Sequence, residues 1–241
     1  MHFKFPLTVL FCLAAFCTAA SAQSELDTYQ GLAAERSILF RGKQAERYSA
    51  RANGHPYWET VEYVQGDLVC EGKLYRDMYL NIDAFAQRVL VRLPSNMLAV
   101  ELSAEQVPYI GFNGRRFTGL GPDDGRLPEG IYEIFGDGDY QVWKHVSKRL
   151  RSGTGNVNGD PIGYYDQNYN PSFTDYFGID KTYYFKDEHG NFTQFKGKGA
   201  LLRKFGPRKK EIRKAVRDAG FNLPGISFDN YCKGVLTVAN Q

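Results

Sequence analysis

Three carboxylates are the residues best able to do chemistry, Asp77, Asp83 and Asp160. Hydrolysis of a glycosidic bond needs two carboxyl groups across a cleft, one acid and one base or nucleophile. No spacing in the chain brings a pair of the three together. The histidines after residue 22 are His55, His145 and His189, without the spacing of a shared metal site. His55 lies in Asn53-Gly54-His55-Pro56, a turn sequence. His145 and Trp143 fall on one face of a strand, where they can form a ligand platform or pack under a covering segment. Asn156-x-Asn158-Gly159-Asp160 has some oxygen ligands of a calcium loop but lacks the other spaced ligands and the closing glutamate. G-x-S-x-G, H-E-x-x-H, C-x-x-C and phosphate-binding glycine loops are absent. The expectation is a non-enzyme without cofactor or metal.

Two cysteines follow the first 22 residues, Cys70 and Cys232. In an oxidising compartment they can pair. Alternatively, Cys70 acts as a small hydrophobe on an apolar strand face. Sequence does not show whether two distant cysteines have compatible geometry. Residues 151–176, RSGTGNVNGDPIGYYDQNYNPSFTDY, read as a loop. Its tyrosines and amides suit carbohydrate or peptide contact, since rings stack and amides hydrogen-bond. A solvated insertion is the alternative. Tyr164, Tyr165, Tyr169 and Trp143 are the candidate binding residues.

Short strands must position these groups. From Gly66 to Leu120 the chain alternates with period two. Met78, Leu80 and Ile82 alternate with Asp77, Tyr79, Asn81 and Asp83; Val89, Val91 and Leu93 and then Leu98, Val100 and Leu102 continue the pattern. One face is therefore expected dry, with Leu80, Ile82, Val89, Val91, Val100 and Leu102 in the core, and the other wet. Turns are expected at Glu71-Gly72, Ser95-Asn96 and Asn113-Gly114, the last a strong hairpin signal. The first core strand is expected near Trp58–Val64. Hairpins follow at Gly130–Phe135 with Tyr140–Val146, and at Thr182–Lys186 with Asn191–Lys196. Leu201, Phe205, Ile212, Val216 and Ala219 then fall on one helical face, with Gly206-Pro207 at a start or break and Gly220 at the end. An apolar tail from Phe228 to Val238 docks back. The fold expected is mainly β, an antiparallel meander in a strongly curved sheet or partly closed barrel. A C-terminal amphipathic helix and a short N-terminal helix, from Leu26, Tyr29, Leu32 and Ala33, complete it.

Residues 1–22 have the make-up of a secretory signal peptide: Lys4, an apolar run from Leu7 to Ala20, and Ala20-Ser21-Ala22 before a cleavage point after Ala22. The run is too short for a transmembrane span. Phe11 before Cys12 and Phe16 before Cys17 argue against a lipoprotein. The remainder, 23–241, is expected to be one β-rich domain in the periplasm or outside the cell. With 43% apolar and 15% aromatic residues overall, the full chain can bury a sizeable core. The net charge of +3 is too small for bulk attraction to nucleic acid. The basic helix at about 207–219 has an outer face of Arg208, Lys209, Lys210, Arg213, Lys214 and Arg217. Such a face is either simply solvated or able to meet anionic lipid peripherally, or an acidic polymer.

The stretches GDLVCEGKLYRDMYLNID from Gly66, VPYIGFNGRRF from Val107 and FGPRKKEIRK from Phe205 resemble a broad group of uncharacterised exported proteins of Bacteroidetes-type bacteria. The resemblance runs from about Gly42 to Ala219 and implies architecture rather than chemistry, with no catalytic residue to carry over. It implies a packing role for Cys70, whose position in that group holds an aromatic or aliphatic residue, and an expanded Tyr/Asn-rich segment. The function expected is an exported, non-catalytic envelope domain binding a protein or glycan partner. The alternatives are a carrier of a lipid or apolar ligand and a carboxylate hydrolase.

Overall fold

A computed structural model describes residues 39, 42–45, 48, 52–92, 98–152 and 175–241. The signal-like segment with Ala22, the N-terminal helix, the Ser95-Asn96 turn, Asp160, Tyr164, Tyr165 and Tyr169 lie outside the described residues. The chain divides into two compact units, Met1–Gly42 and Lys43–Gln241. In the first, Leu39 is buried. All the elements named below belong to the second.

Twelve strands form one sheet among the described residues: β1 (Lys43–Gln44), β2 (Ala52–Asn53), β3 (Val64–Cys70), β4 (Lys73–Asp83), β5 (Arg88–Arg92), β6 (Ala99–Ser103), β7 (Tyr109–Phe112), β8 (Arg115–Leu120), β9 (Gly130–Phe135), β10 (Gln141–Ser152), β11 (Asp175–Lys186) and β12 (Phe192–Phe195). The order is β1-β6-β5-β4-β3-β7-β8-β9-β10-β11-β12, with β2 parallel to β11 and every other pairing antiparallel. Two meanders thus share a seam at β3–β7, and the path does not close. The chain crosses from β6 back to β7 through a 3₁₀ turn, Ala104–Gln106. That turn sits so close to β8 that a Cβ on Gly119 would collide with the Ala104 carbonyl.

Strong curvature is visible where the β4–β5 hairpin tip meets β10. Lys148 N donates to Ala84 O at 2.9 Å. Part of the curvature comes from a bulge. Gly66 pairs with Met78 but Leu68 pairs with Tyr75, so β4 carries one extra residue. Asp77 occupies it at φ 56°, with its N–H donating to Asp67 Oδ1 at 3.1 Å. The bulge reverses the parity of β4. Tyr75 and Met78, three apart, are both buried, whereas Leu74 is exposed.

All six expected core residues, Leu80, Ile82, Val89, Val91, Val100 and Leu102, are buried. The expectation of a wet opposite face fails at Asn81 and Asp83, which are also buried. An irregular segment before β3 covers them. Trp58 N donates to Ile82 O at 2.8 Å, and Asn81 Nδ2 donates to Thr60 O and Glu62 O. The same segment corrects the first core strand, β3, which spans Val64–Cys70 rather than Trp58–Val64. Leu98, placed on the dry face, is exposed just ahead of β6. The loop expected over 151–176 is narrower, because Arg151 pairs with Tyr176 and Ser152 with Asp175 inside the β10–β11 ladder.

Three helices cover one face of β9–β12: α1 (Lys198–Arg203), α2 (Lys209–Asp218) and α3 (Phe228–Ala239). A 3₁₀ turn, Gly206–Arg208, with Pro207 near its start, leads into α2. Gly220, at φ 80°, ends it as expected: Phe221 N donates to Val216 O and Gly220 N to Arg217 O, both at 3.0 Å. Ala219 lies past the last turn and is exposed rather than on the apolar stripe. The Phe228–Val238 tail docks as a helix, with the Ser227 hydroxyl accepting from Asn230 N at 3.2 Å. Its Tyr231, Cys232, Val235 and Leu236 join Phe135, Val142, Phe185, Phe205, Ile212 and Val216 in one core.

Candidate functional site

The β9–β10 hairpin carries a buried ionic cluster. A four-residue turn at Gly136–Asp139 would set Phe135 opposite Tyr140, but the observed register sets it opposite Val142. Glu133 then faces Lys144 across the strands, both nearly inaccessible at 2% and 3% exposure. Lys144 Nζ donates to Glu133 Oε2 at 3.3 Å and to Asp229 Oδ2, on α3, at 2.6 Å. Arg115, at the start of β8, completes a bidentate pair, with Nε to Glu133 Oε1 at 2.7 Å and Nη2 to Oε2 at 2.8 Å. Its Nη1 donates outward to the exposed Glu59. The Tyr183 hydroxyl donates to Asp229 Oδ1 at 2.7 Å. Burial acts to raise the Asp229 carboxyl, but the Lys144 charge and the hydrogen bonds from Lys144 and Tyr183 outweigh it and hold the group below the ordinary value. Burial also pushes Tyr183 upward, reinforced by the hydrogen bond to Asp229.

Beside this cluster is a cleft of about 290 Å³ between the β7–β8 turn, the end of β9 with its following turn, and α3. Arg115, Arg116, Glu133, Asp137 and Lys233 supply its charges. Arg116 donates to Gly136 O at 2.7 Å and pairs with Asp137, which is 87% exposed. Lys233, exposed on α3, holds its ammonium 5.1 Å from the centre of the Phe135 ring. A smaller cavity of about 40 Å³ lies at the neighbouring residues Phe112 and Asn113, lined also by Trp58 and Glu59. Trp58 Nε1 is buried without a hydrogen-bond partner among the described residues.

The described residues singled out from sequence lie elsewhere. Trp143 is buried at 7% exposure, its ring against Phe192 and Tyr132 and the Arg126 guanidinium. Its Nε1 donates to Gln141 Oε1 at 2.9 Å. His145 stacks on Tyr132 with ring centres 5.0 Å apart and contacts Gln87 Oε1 at 3.0 Å. Burial lowers its pKa to about 4. Asp77 is the bulge residue. Asp83 caps the β4–β5 turn, accepting from Phe85 N and Ala86 N at 2.9 and 2.8 Å and from the Tyr48 hydroxyl. Burial raises its pKa despite those three donors. Neither carboxylate lines the cleft. Cys70 and Cys232 are both free, buried thiols. His55 accepts from Lys148 Nζ through its carbonyl at 2.8 Å.

Gln87 was not singled out from sequence. Its Nε2 donates to Ala84 O at 2.7 Å and Val146 O at 3.0 Å. Those two carbonyls fix the amide, so Oε1 is the acceptor for Ile131 N and for His145 Nε2–H. The readable signal for the ionic cluster was a lysine on the inward parity of Val142 and Val146. Among the described residues, no helix is long and apolar enough to cross a membrane, and no group of three or more His, Cys, Asp or Glu is placed to share a metal ion. Compared with protein-family models, curated proteins and solved structures, the chain matches none.

Proposed function

We propose that the chain is an exported, non-catalytic domain of the cell envelope that binds a protein or glycan partner, and that the cleft bounded by β8, β9 and α3 receives an acidic group of that partner. One observation carries the reading: the cleft's two guanidiniums are each held on the outside by an exposed carboxylate. Arg116 has Asp137, and Arg115 has Glu59, whose side chain is 57% exposed. Ion pairs of this kind contribute about 1 kcal/mol or less, so a partner's carboxylate can replace either one. The inner side is saturated. Glu133 accepts three charged hydrogen bonds, which makes it a brace for Arg115 rather than a free acid or base. Lys233 adds a third cation at the rim. The signal-like leader and the resemblance to exported proteins support the location.

The test is capture from envelope extracts together with a glycan array, comparing the natural chain with an Arg116→Ala, Lys233→Ala double variant. Both side chains are on the surface, so thermal stability is expected to stay near that of the natural chain while capture weakens about tenfold or more. A chain that recovers no specific partner and gives a flat array, or a double variant that captures as well as the natural chain, would sink the proposal.

A further inference from the structure

From Lys196 to Arg217 the chain has ten lysines and arginines and a single acid, Glu211, although the whole protein carries a net charge of only +3. The fold sorts these cations outward. On α2, Lys210, Arg213, Lys214 and Arg217 recur at i, i+3, i+4 and i+7, and all four are exposed. They make one stripe about 10 Å long. The opposite stripe, Ile212 and Val216, is fully buried in the helix–sheet core. Lys210, Arg213 and Lys214 have no acidic partner among the described residues, and Arg217 has its exposed neighbour Asp218 at 3.5 Å. Like charges three and four apart on a helix repel, so this face is relieved when anions cover it.

We infer that the α2 stripe binds an acidic polysaccharide, a linear chain with carboxylate or sulfate groups at repeated intervals. Charge complementarity selects a polyanion, and the structure narrows its type. A helix lying in a membrane surface inserts an apolar face, and the apolar face of α2 is occupied by the protein's own core. Single-stranded nucleic acid binds on aromatic platforms between cations. The one aromatic residue from 196 to 217, Phe205, is buried. What remains outside is a row of ammonium and guanidinium groups that meets repeated anions on a flexible chain. The surface is distinct from the cleft, and neither proposal depends on the other.

The probes are heparin for sulfate and polygalacturonate for carboxylate, with affinities measured by calorimetry over a range of salt. The natural chain is expected to bind at least one at about 0.15 M salt. The variant Lys210→Gln, Arg213→Gln, Lys214→Gln should bind about tenfold or more weakly, with a shallower salt dependence. A charge-matched control on the sheet, Arg76→Gln, Arg149→Gln, Lys181→Gln, should stay within about twofold of the natural chain. The exchange Lys210→Arg, Arg213→Lys, Lys214→Arg keeps the charges and should retain binding, which separates lost recognition from a damaged helix. Four results would each overturn the inference. Neither probe binds. The sheet control weakens binding as much as the helix variant. Duplex DNA binds more tightly than both polysaccharides at the same salt, with the same variant sensitivity. Vesicles of phosphatidylcholine with phosphatidylserine recruit the chain more strongly than either polysaccharide does.

Discussion

Single polar side chains do much of the work of joining distant parts of this sheet, and Gln87 is the clearest case. One amide satisfies Ala84 O and Val146 O and receives Ile131 N and His145. It thereby ties the β4–β5 turn to β9 and β10. Gln87→Ala removes the acceptor of Ile131 N and a donor to Val146 O, while Ala84 O keeps Lys148 N, and a loss of about 1–3 kcal/mol in chemical denaturation is expected. His145 provides a second test through pH. Burial lowers its native pKa to about 4 from the ordinary 6.5. Between those values the unfolded chain binds the proton and the native chain does not, so this contribution is full above pH 6.5 and lost as pH falls toward 4. Going from pH 7 to pH 4.5, it amounts to about 2 kcal/mol. Asp83 works in the opposite direction. Its raised pKa contributes stability that is present at low pH and lost as pH rises through the native value. The natural chain must therefore be compared with His145→Gln, which keeps the Asp83 contribution and removes the histidine's. An identical pH dependence in both proteins would show that His145 does not titrate as its burial implies.

Among elements, the junction of α3 with the sheet depends on the Lys144–Asp229 pair as well as on apolar packing. Lys144 has 4% side-chain exposure and Asp229 31%, so the charges are poorly screened and strongly coupled. Lys144→Met removes the cation from between two carboxylates. The expected cost is about 3–5 kcal/mol at neutral pH, read from denaturant midpoints. Adding Asp229→Asn to that variant should recover part of the loss, since the uncompensated charge disappears. Additive losses would mean that the two residues act separately and that packing alone docks the helix. The pH sense is set by the lowered Asp229 pKa. Its contribution is present above the ordinary carboxyl value and lost as pH falls through the native one.

For the whole second unit, the ionic network crosses from β8 through β9 and β10 to α3, and the aromatic residues Phe185, Tyr140 and Phe205 join the sheet to the helical layer. Sheet and helices are thus expected to unfold together. Helical circular dichroism and the fluorescence of Trp58 and Trp143, both buried, should trace the same thermal transition. Loss of the helical signal ahead of the tryptophan signal would show that the C-terminal layer is an independently melting part.

Local patterning was enough to place most of the hairpin strands from β4 to β12, the turns at Glu71-Gly72 and Asn113-Gly114, the basic helix and the six core residues from Leu80 to Leu102. Each depends on the period of nearby side chains or on backbone preferences such as those of Asn113-Gly114 and Gly220. What tertiary structure decided is what covers the second face of each strand. Asn81 and Asp83 looked solvated because their own strand says nothing about the segment 56–62 that buries them. The bulge at Asp77 depends on pairing with β3, so the sequence period continued through a point where parity reverses. Gln87 resembled any turn residue, because its four partners lie mostly in strands more than forty positions away. The cleft likewise needs Arg115, Glu133 and Lys233, brought together from three elements with no shared period. The charge of α2 was legible from its residue types. So was the face it turns to solvent, since the helical spacing of Ile212 and Val216 set the apolar stripe that packs into the core.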